Sequence, residues 1–285
     1  MAAEKNKQQA TEAFARLVEP GIEEEHIELA RAALTIARTE YPHLDIASYL
    51  GKLDELGARV RARMHSDQRA SNMIEAVNSV LFEQEGFQGN SADYYDPRNS
   101  FLNDVMDRHT GIPITLSLVY MEVSRRAGLP LLGVGMPGHF LLKHYEADGQ
   151  EILIDPFERG RILSHGDCQQ RLDEIYGGHM PLRPEFLASV SPRLILTRML
   201  NNLRTIYLNN RRFRNAVAVF DLLLTIYPRS PEDIKDRAQL RYSVGQLRGA
   251  IQDLEEYLRI VPEAPDGENV RETLLSLRQS MASRN

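Results

Sequence analysis

Phe213, Ala216, Phe220 and Pro228 recur as Leu247, Ala250, Leu254 and Pro262, every pair 34 residues apart. Apolar residues at helical spacing, closed by a proline and repeated at that period, describe two helix–turn–helix units. Leu200, Leu203 and Tyr207 supply the apolar stripe of the first helix in the first unit. The second unit keeps Ile234 and Ala238 on its first helix but also carries Arg237 and Arg241 there. The stripe Leu203, Tyr207, Ala216 and Phe220 reads as core rather than binding surface. A last helix over residues 269–281 is predicted to cap the stack. Repeat units bury their faces against neighbours, so two units and a cap are expected to pack on the rest of the chain.

Residues 1–85 read as helices. Ile27, Ala30, Leu34 and Ala37 form one stripe across residues 23–40, stopped by Pro42. A second helix spans 44–65 with Asp45 as its cap. A third opens at Ser66-Asp67 and carries Met73, Ile74, Val77, Val80 and Leu81 up to Gly86. The run GFQGNSADYYDPRNS, residues 86–100, has loop chemistry, yet Phe87, Tyr94 and Tyr95 predict that it packs. A short helix is expected over 102–109. Pro113 to Arg126 forms another, with proline in the first turn and Gly128 at the stop. Residues 130–136, 139–145 and 151–154 read as short strands, with Asp148-Gly149 turning between the last two. Helix followed by antiparallel strands predicts an α+β fold. The expected organisation is an α+β domain over 1–190 (helical 1–85, core 86–190), followed by an all-α tail over 191–285.

A formal net charge of −6 argues against nucleic acid or an anionic membrane as the main partner. The opening MAAEKNKQQATEAF lacks the apolar core of a signal peptide, and no apolar run reaches membrane-spanning length. Cys168 is the single cysteine, which excludes an internal disulfide. Together these features predict a cytosolic protein.

Three segments carry possible chemistry: GIPITLSLVYMEVSRRAGLP, GVGMPGHFLLKH and ILIDPF. A thiol mechanism needs its nucleophile at a helix N-terminus, where the dipole lowers the thiol pKa. It also needs a histidine on a neighbouring strand as base and an acid to orient the imidazole. His139 and Asp155, either side of a hairpin, suit the last two roles. These segments resemble the transglutaminase-like core, which places Gly-x-Cys at a helix start, a Gly-Ile-Pro-like turn at its end, then a histidine and an Asp-Pro. Gly128-Leu129-Pro130 matches the turn, His139 the histidine, and Asp155-Pro156 the acid. Gly111-Ile112-Pro113 then falls on Gly-x-Cys, so Pro113 stands at the cysteine position. With YYDPRNSFLNDV, GIPITLSLVY and PGHFLL, the chain resembles the bacterial SirB-one type branch, which joins a papain/transglutaminase-like domain to tetratricopeptide repeats. The resemblance covers nearly the whole chain. It implies a protein that lacks the nucleophile.

Proline has no nucleophilic side chain, and Cys168 lies beyond the acid in another segment, where it reads as a half-buried or surface residue. Thr115 and Ser117, in the first turns of the helix, are the hydroxyl candidates for an enzyme built on His139 and Asp155. That hydrolase or acyl-transferase is the rival to the preferred reading, a silent module binding a protein or peptide. His139 and Asp155 read as a structural relic or as part of a ligand pocket. They are expected within hydrogen-bond reach, beside the first turn of the helix begun by Pro113. Tyr94, Tyr95, Asp96, Arg98 and Asn99 are the candidate binding residues of a loop expected over the His139–Asp155 cleft. His144, His165 and His179 have no metal-ligand spacing, so neither metal nor cofactor is expected. His109 reads as solvated.

Overall fold

The computed structural model describes residues 2–64 and 69–282. In chain order, α1 (Ala2–Val18), α2 (Leu29–Ala37), α3 (Ile46–Arg63) and α4 (Ala70–Asn78) come first. They are followed by β1 (Gln88–Gly89), α5 (Leu102–Arg108), β2 (Thr110–Gly111) and α6 (Pro113–Ala127). Next come β3 (Leu132–Val134), β4 (Leu141–Tyr145), β5 (Glu151–Asp155), β6 (Arg161–Leu163), α7 (His165–Tyr176) and β7 (Ser189–Val190). The chain closes with α8 (Pro192–Asn209), α9 (Phe213–Ile226), α10 (Pro231–Ser243), α11 (Leu247–Ile260) and α12 (Gly267–Ala282).

Local chemistry explains several boundaries. Asp45 caps α3 by accepting from the Ser48 amide at 3.3 Å. The helix expected over 23–40 is shorter, because Glu24–His26 forms a separate 3-10 turn. The opening of the third helix at Ser66-Asp67 lies outside the described residues. Its later part, α4, passes into a π-helical turn over Ser79–Gln84, which turns Val80, Leu81 and Phe82 all inward. Gly128, at φ +99°, ends α6 in a left-handed conformation that glycine adopts without penalty.

The described residues form two compact units. The larger comprises residues 24–37 and 43–199. Here α6 packs against α3, α4 and α5 on one side and against β4 of the sheet on the other. The sheet runs β6-β5-β4-β3-β7, antiparallel throughout. Its centre is set by the pairing of Leu142 with Ile154 and of Lys143 with Leu153. A second core forms where Cys168 and Leu172 of α7 meet Val134, Met136, Leu141 and Leu153. The class is α+β, as expected, and the three expected strands are present, the first two shortened and the third one residue longer. The strands β6 and β7, the helix α7 and the two-residue parallel pair β1–β2 are additions.

The other unit comprises residues 2–23, 38–42 and 200–282. The repeats appear as α8–α9 and α10–α11; α9 and α11 are each 14 residues long and begin at the equivalent Phe213 and Leu247. Arg237 and Arg241, which weakened the repeat in sequence, form a closed ion-pair network. Each reaches both Asp221 and Asp253, at 2.7–3.1 Å. Asp253 is itself buried.

This division differs from the expected boundary at residue 190. The N-terminal helix α1 packs along α9, with Phe14 and Val18 buried. Residues 38–42 join it through Glu40, which accepts from the Tyr207 hydroxyl at 3.0 Å and from the Asn215 amide. The cause is visible in α9, where Ala216–Phe220, Leu222–Leu224 and Ile226 are all buried. A helix apolar on every side needs cover beyond its repeat partners.

Candidate functional site

His139 ends a tight turn. Met136-Pro137-Gly138-His139 has proline second, glycine third at φ +70°, and a His139 amide donating to the Met136 carbonyl at 3.1 Å. That is the signature of a type II turn. Arg198 of α8 braces it, donating to the His139 carbonyl at 2.8 Å and lying over the Phe140 ring at 5.3 Å. Burial lowers the Arg198 pKa, while the hydroxyls of Tyr94 and Tyr176 work the other way.

Asp155 is placed at the end of β5 by its own local chemistry. Its Oδ1 accepts from the amides of Phe157 and Glu158, at 2.9 and 3.3 Å. It thereby caps the short 3-10 turn Pro156–Glu158, with proline in the first position. The other oxygen, Oδ2, lies 2.8 Å from His139 Nε2 and 3.8 Å from Arg171 Nη2. His139 is 5% exposed and Asp155 fully buried. A carboxylate accepts, so Nε2 is the donor in this pair. Geometrically this is a base and its orienting acid.

The turn Pro156–Glu158 that follows Asp155 lies against α6. The Phe157 ring meets the His139 imidazole edge-on, with centroids 6.0 Å apart. The same ring lies against Gly89, where an added Cβ would come within 2.5 Å of it. Gly89 pairs with Gly111, two residues before Pro113. Pro113 is the first residue of α6 and is buried. Besides lacking a nucleophilic atom, it brings no backbone N–H to a developing oxyanion.

The hydroxyl candidates face inward. Thr115 donates to the Asn99 carbonyl at 2.7 Å and accepts from the Ile112 amide at 3.2 Å, so its oxygen is committed to holding the helix start. Ser117 is fully buried, and its hydroxyl has no hydrogen-bond partner among the described residues. Cys168 is fully buried in the α7 core rather than half-exposed, because its helix face is apolar and covers the sheet. Burial pushes its thiol up to about 11, with nearby Asp167 adding to the effect.

The loop 86–100 is packed, as its aromatics predict for Phe87, which is buried. Asp96 accepts from the Arg98 amide and guanidinium at 2.9 Å and lies 3.5 Å from Arg108. Burial alone would raise the Asp96 pKa, but the hydrogen bonds from Arg98 and the two guanidinium charges hold it below the usual range. Asn99, fully buried, donates to the carbonyl of Asp93 at 2.7 Å. Tyr94 and Tyr95 meet edge-to-face and are 37% and 65% exposed. His109 is not simply solvated. It adopts φ +52°, stacks on Phe87, and its Nδ1 lies 2.5 Å from the Glu85 carbonyl. His144 lies near the Pro130 carbonyl, His165 near Glu151, and His179 is exposed. Among the described residues, no group of three or more His, Cys, Asp or Glu is placed to hold a metal ion.

Residues 47–201 match the family model of the transglutaminase-like superfamily, more than half of the chain. The chain belongs to the transglutaminase-like superfamily. Residues 203–274 match the tetratricopeptide repeat model. A UPF0162 protein of Xylella fastidiosa is 36% identical over 259 residues, 90% of this chain and 92% of that one. One of Vibrio cholerae is 30% identical over 249 residues, 85% and 89% of the two chains. Mouse F-box only protein 21 is 32% identical over 185 residues, 61% of this chain but 28% of that longer one. No solved structure gives a significant match. The matched region contains the His139–Asp155 pair and Pro113, the first residue of α6.

Arg198 and Phe157 are the residues that sequence reasoning missed. Phe157 had a signal, since it follows directly on Asp155-Pro156. Arg198 had none, because it comes from a helix read only as part of the repeat tail. The Pro137-Gly138 pair is a turn signal inside GVGMPGHF that accounts for where His139 points.

Proposed function

We propose that this protein is a catalytically silent member of its superfamily, acting by binding a protein or peptide in the bacterial cytosol. The observation that carries the reading is Pro113, which occupies the start of α6 where the His139–Asp155 pair would need a nucleophile. Thr115 is committed to the helix start, Ser117 is enclosed, and Cys168 is enclosed elsewhere. Tetratricopeptide repeats, which generally mediate protein–protein contacts, support the binding role. Among the described residues no helix is long and apolar enough to cross a membrane. The cytosolic setting rests on that and on the free thiol.

The binding face we infer is the rim formed by Tyr94, Tyr95, Asp96, Arg98 and Asn99, with His139 and Asp155 behind it. Tyr94 and Tyr95 offer rigid, exposed aromatic surface, and Asp96 and Asn99 hold the loop that presents them. A second reading, hydrolysis with water activated at His139 Nδ1, is favoured by the intact 2.8 Å pair. Affinity capture from bacterial lysate, with the full chain and its Tyr95→Ala, Arg98→Ala and His139→Ala variants, separates them. The binding reading expects Tyr95→Ala to lose a partner while the melting temperature holds. Loss of the partner only in step with loss of folding would remove the rim from the account.

A further inference from the structure

A cavity of about 630 Å³ opens within the repeat-containing unit, between α1, α9 and α10. That volume is in the range of small-ligand sites, roughly 300–1,000 Å³. The helix α1 lies outside both matched family regions, so the cavity is not the groove of the repeats alone.

The charges that line it fall into matched sets with one remainder. Asp221 is held by Arg237 and Arg241, both at 2.8 Å. Glu4 is held by Arg214 at 3.3 Å and by the Gln246 amide at 3.1 Å. Glu256 is held by Arg259 at 2.5 Å. Lys7 remains. Its ammonium contacts the Arg214 main-chain oxygen at 3.4 Å, with no carboxylate in ion-pair range among the described residues. Glu40, the acid whose charge acts on Lys7 most strongly, is already engaged by Tyr207 and Asn215. Burial lowers the Lys7 pKa, opposed by the charges of Glu40, Asp221 and Glu4 and reinforced by Arg214. An anion at this ammonium relieves that cost. Beyond Lys7 the walls include Val217, Leu224, Pro228 and Ile234, which have no polar side chains.

We propose that this cavity binds a small amphipathic carboxylate, with the anion on Lys7 and the apolar body against Val217, Leu224 and Ile234. The carboxylate comes from a free aliphatic acid or from an apolar peptide C-terminus; the two share this chemistry. A charge-assisted hydrogen bond in a half-buried site is worth about tenfold or more in affinity.

The test is calorimetric titration of the full chain with octanoate, octanamide, and N-acetyl-Leu-Leu as free acid and as amide. Wild type, Lys7→Met and Lys7→Gln are compared, each checked by its melt. At least one acid is expected to bind one-to-one, its amide at least tenfold more weakly. Both variants should weaken the acid by about tenfold or more while keeping the melting temperature of wild type. Octanoate alone binding identifies a free acid; the dipeptide acid alone identifies a peptide terminus. Equal affinity for acid and amide, no binding by either acid at millimolar concentration, or full acid affinity in a folded Lys7 variant would overturn the proposal.

Discussion

Removing the imidazole of His139 leaves the buried Asp155 with its two backbone donors and a distant Arg171, but without its closest side-chain partner. His139→Ala should therefore lower stability by about 1–3 kcal/mol in urea unfolding. A change near zero would mean that the pair does not hold the hairpin. Asp96 gives a pH-dependent prediction. Its folded pKa lies below the usual value, so it contributes stability above an unfolded pKa near 3.9, and that contribution is lost as pH falls through the folded pKa. Asp96→Asn should be less stable than wild type at pH 7, and the gap should close below about pH 4. A gap that stays constant with pH would show that the charge is not the cause. Pro113, His139 and Asp155 were legible in the sequence because each sits in a short motif with its own local geometry. The burial of Ser117 and Cys168 was not legible, because it depends on which sheet face each helix covers.

At the scale of elements, the ion-pair network of the second repeat is the feature that apolar periodicity could not anticipate. Arg237 and Arg241 occupy positions where the repeat pattern expects apolar side chains. They are accommodated because Asp221 of α9 and Asp253 of α11 point between the helices. Removing one member of such a buried network strands charge, which typically costs about 3–5 kcal/mol. Asp253→Ala should approach that loss, measured by thermal or urea unfolding of the full chain. A loss under about 1 kcal/mol would show that water replaces the carboxylate freely. The three expected strands were legible from alternation and the Asp148-Gly149 turn. The strands β6 and β7 were not, being two or three residues long and defined by pairing rather than by pattern.

For the molecule as a whole, the α+β class and the repeat period were legible in the sequence, whereas the grouping of α1 with the repeat helices was not. Helical spacing shows that Phe14 and Val18 share a face with Ala10, yet nothing local says which surface they cover. Because α1 packs on α9, residues 191–285 expressed alone should melt broadly and at lower temperature than the full chain. A sharp transition at the full-chain temperature would show that the repeats need no cover from α1. The central claim is the proposed catalytic silence, which rests on Pro113 standing at the start of α6 while His139 and Asp155 remain paired. Its most direct test is turnover itself, measured as peptide hydrolysis and amine incorporation by wild type, Cys168→Ser and His139→Ala at matched folded concentration. The account predicts rates indistinguishable from the protein-free blank for all three. Turnover by wild type that survives Cys168→Ser and disappears in folded His139→Ala would contradict it and make the protein an enzyme.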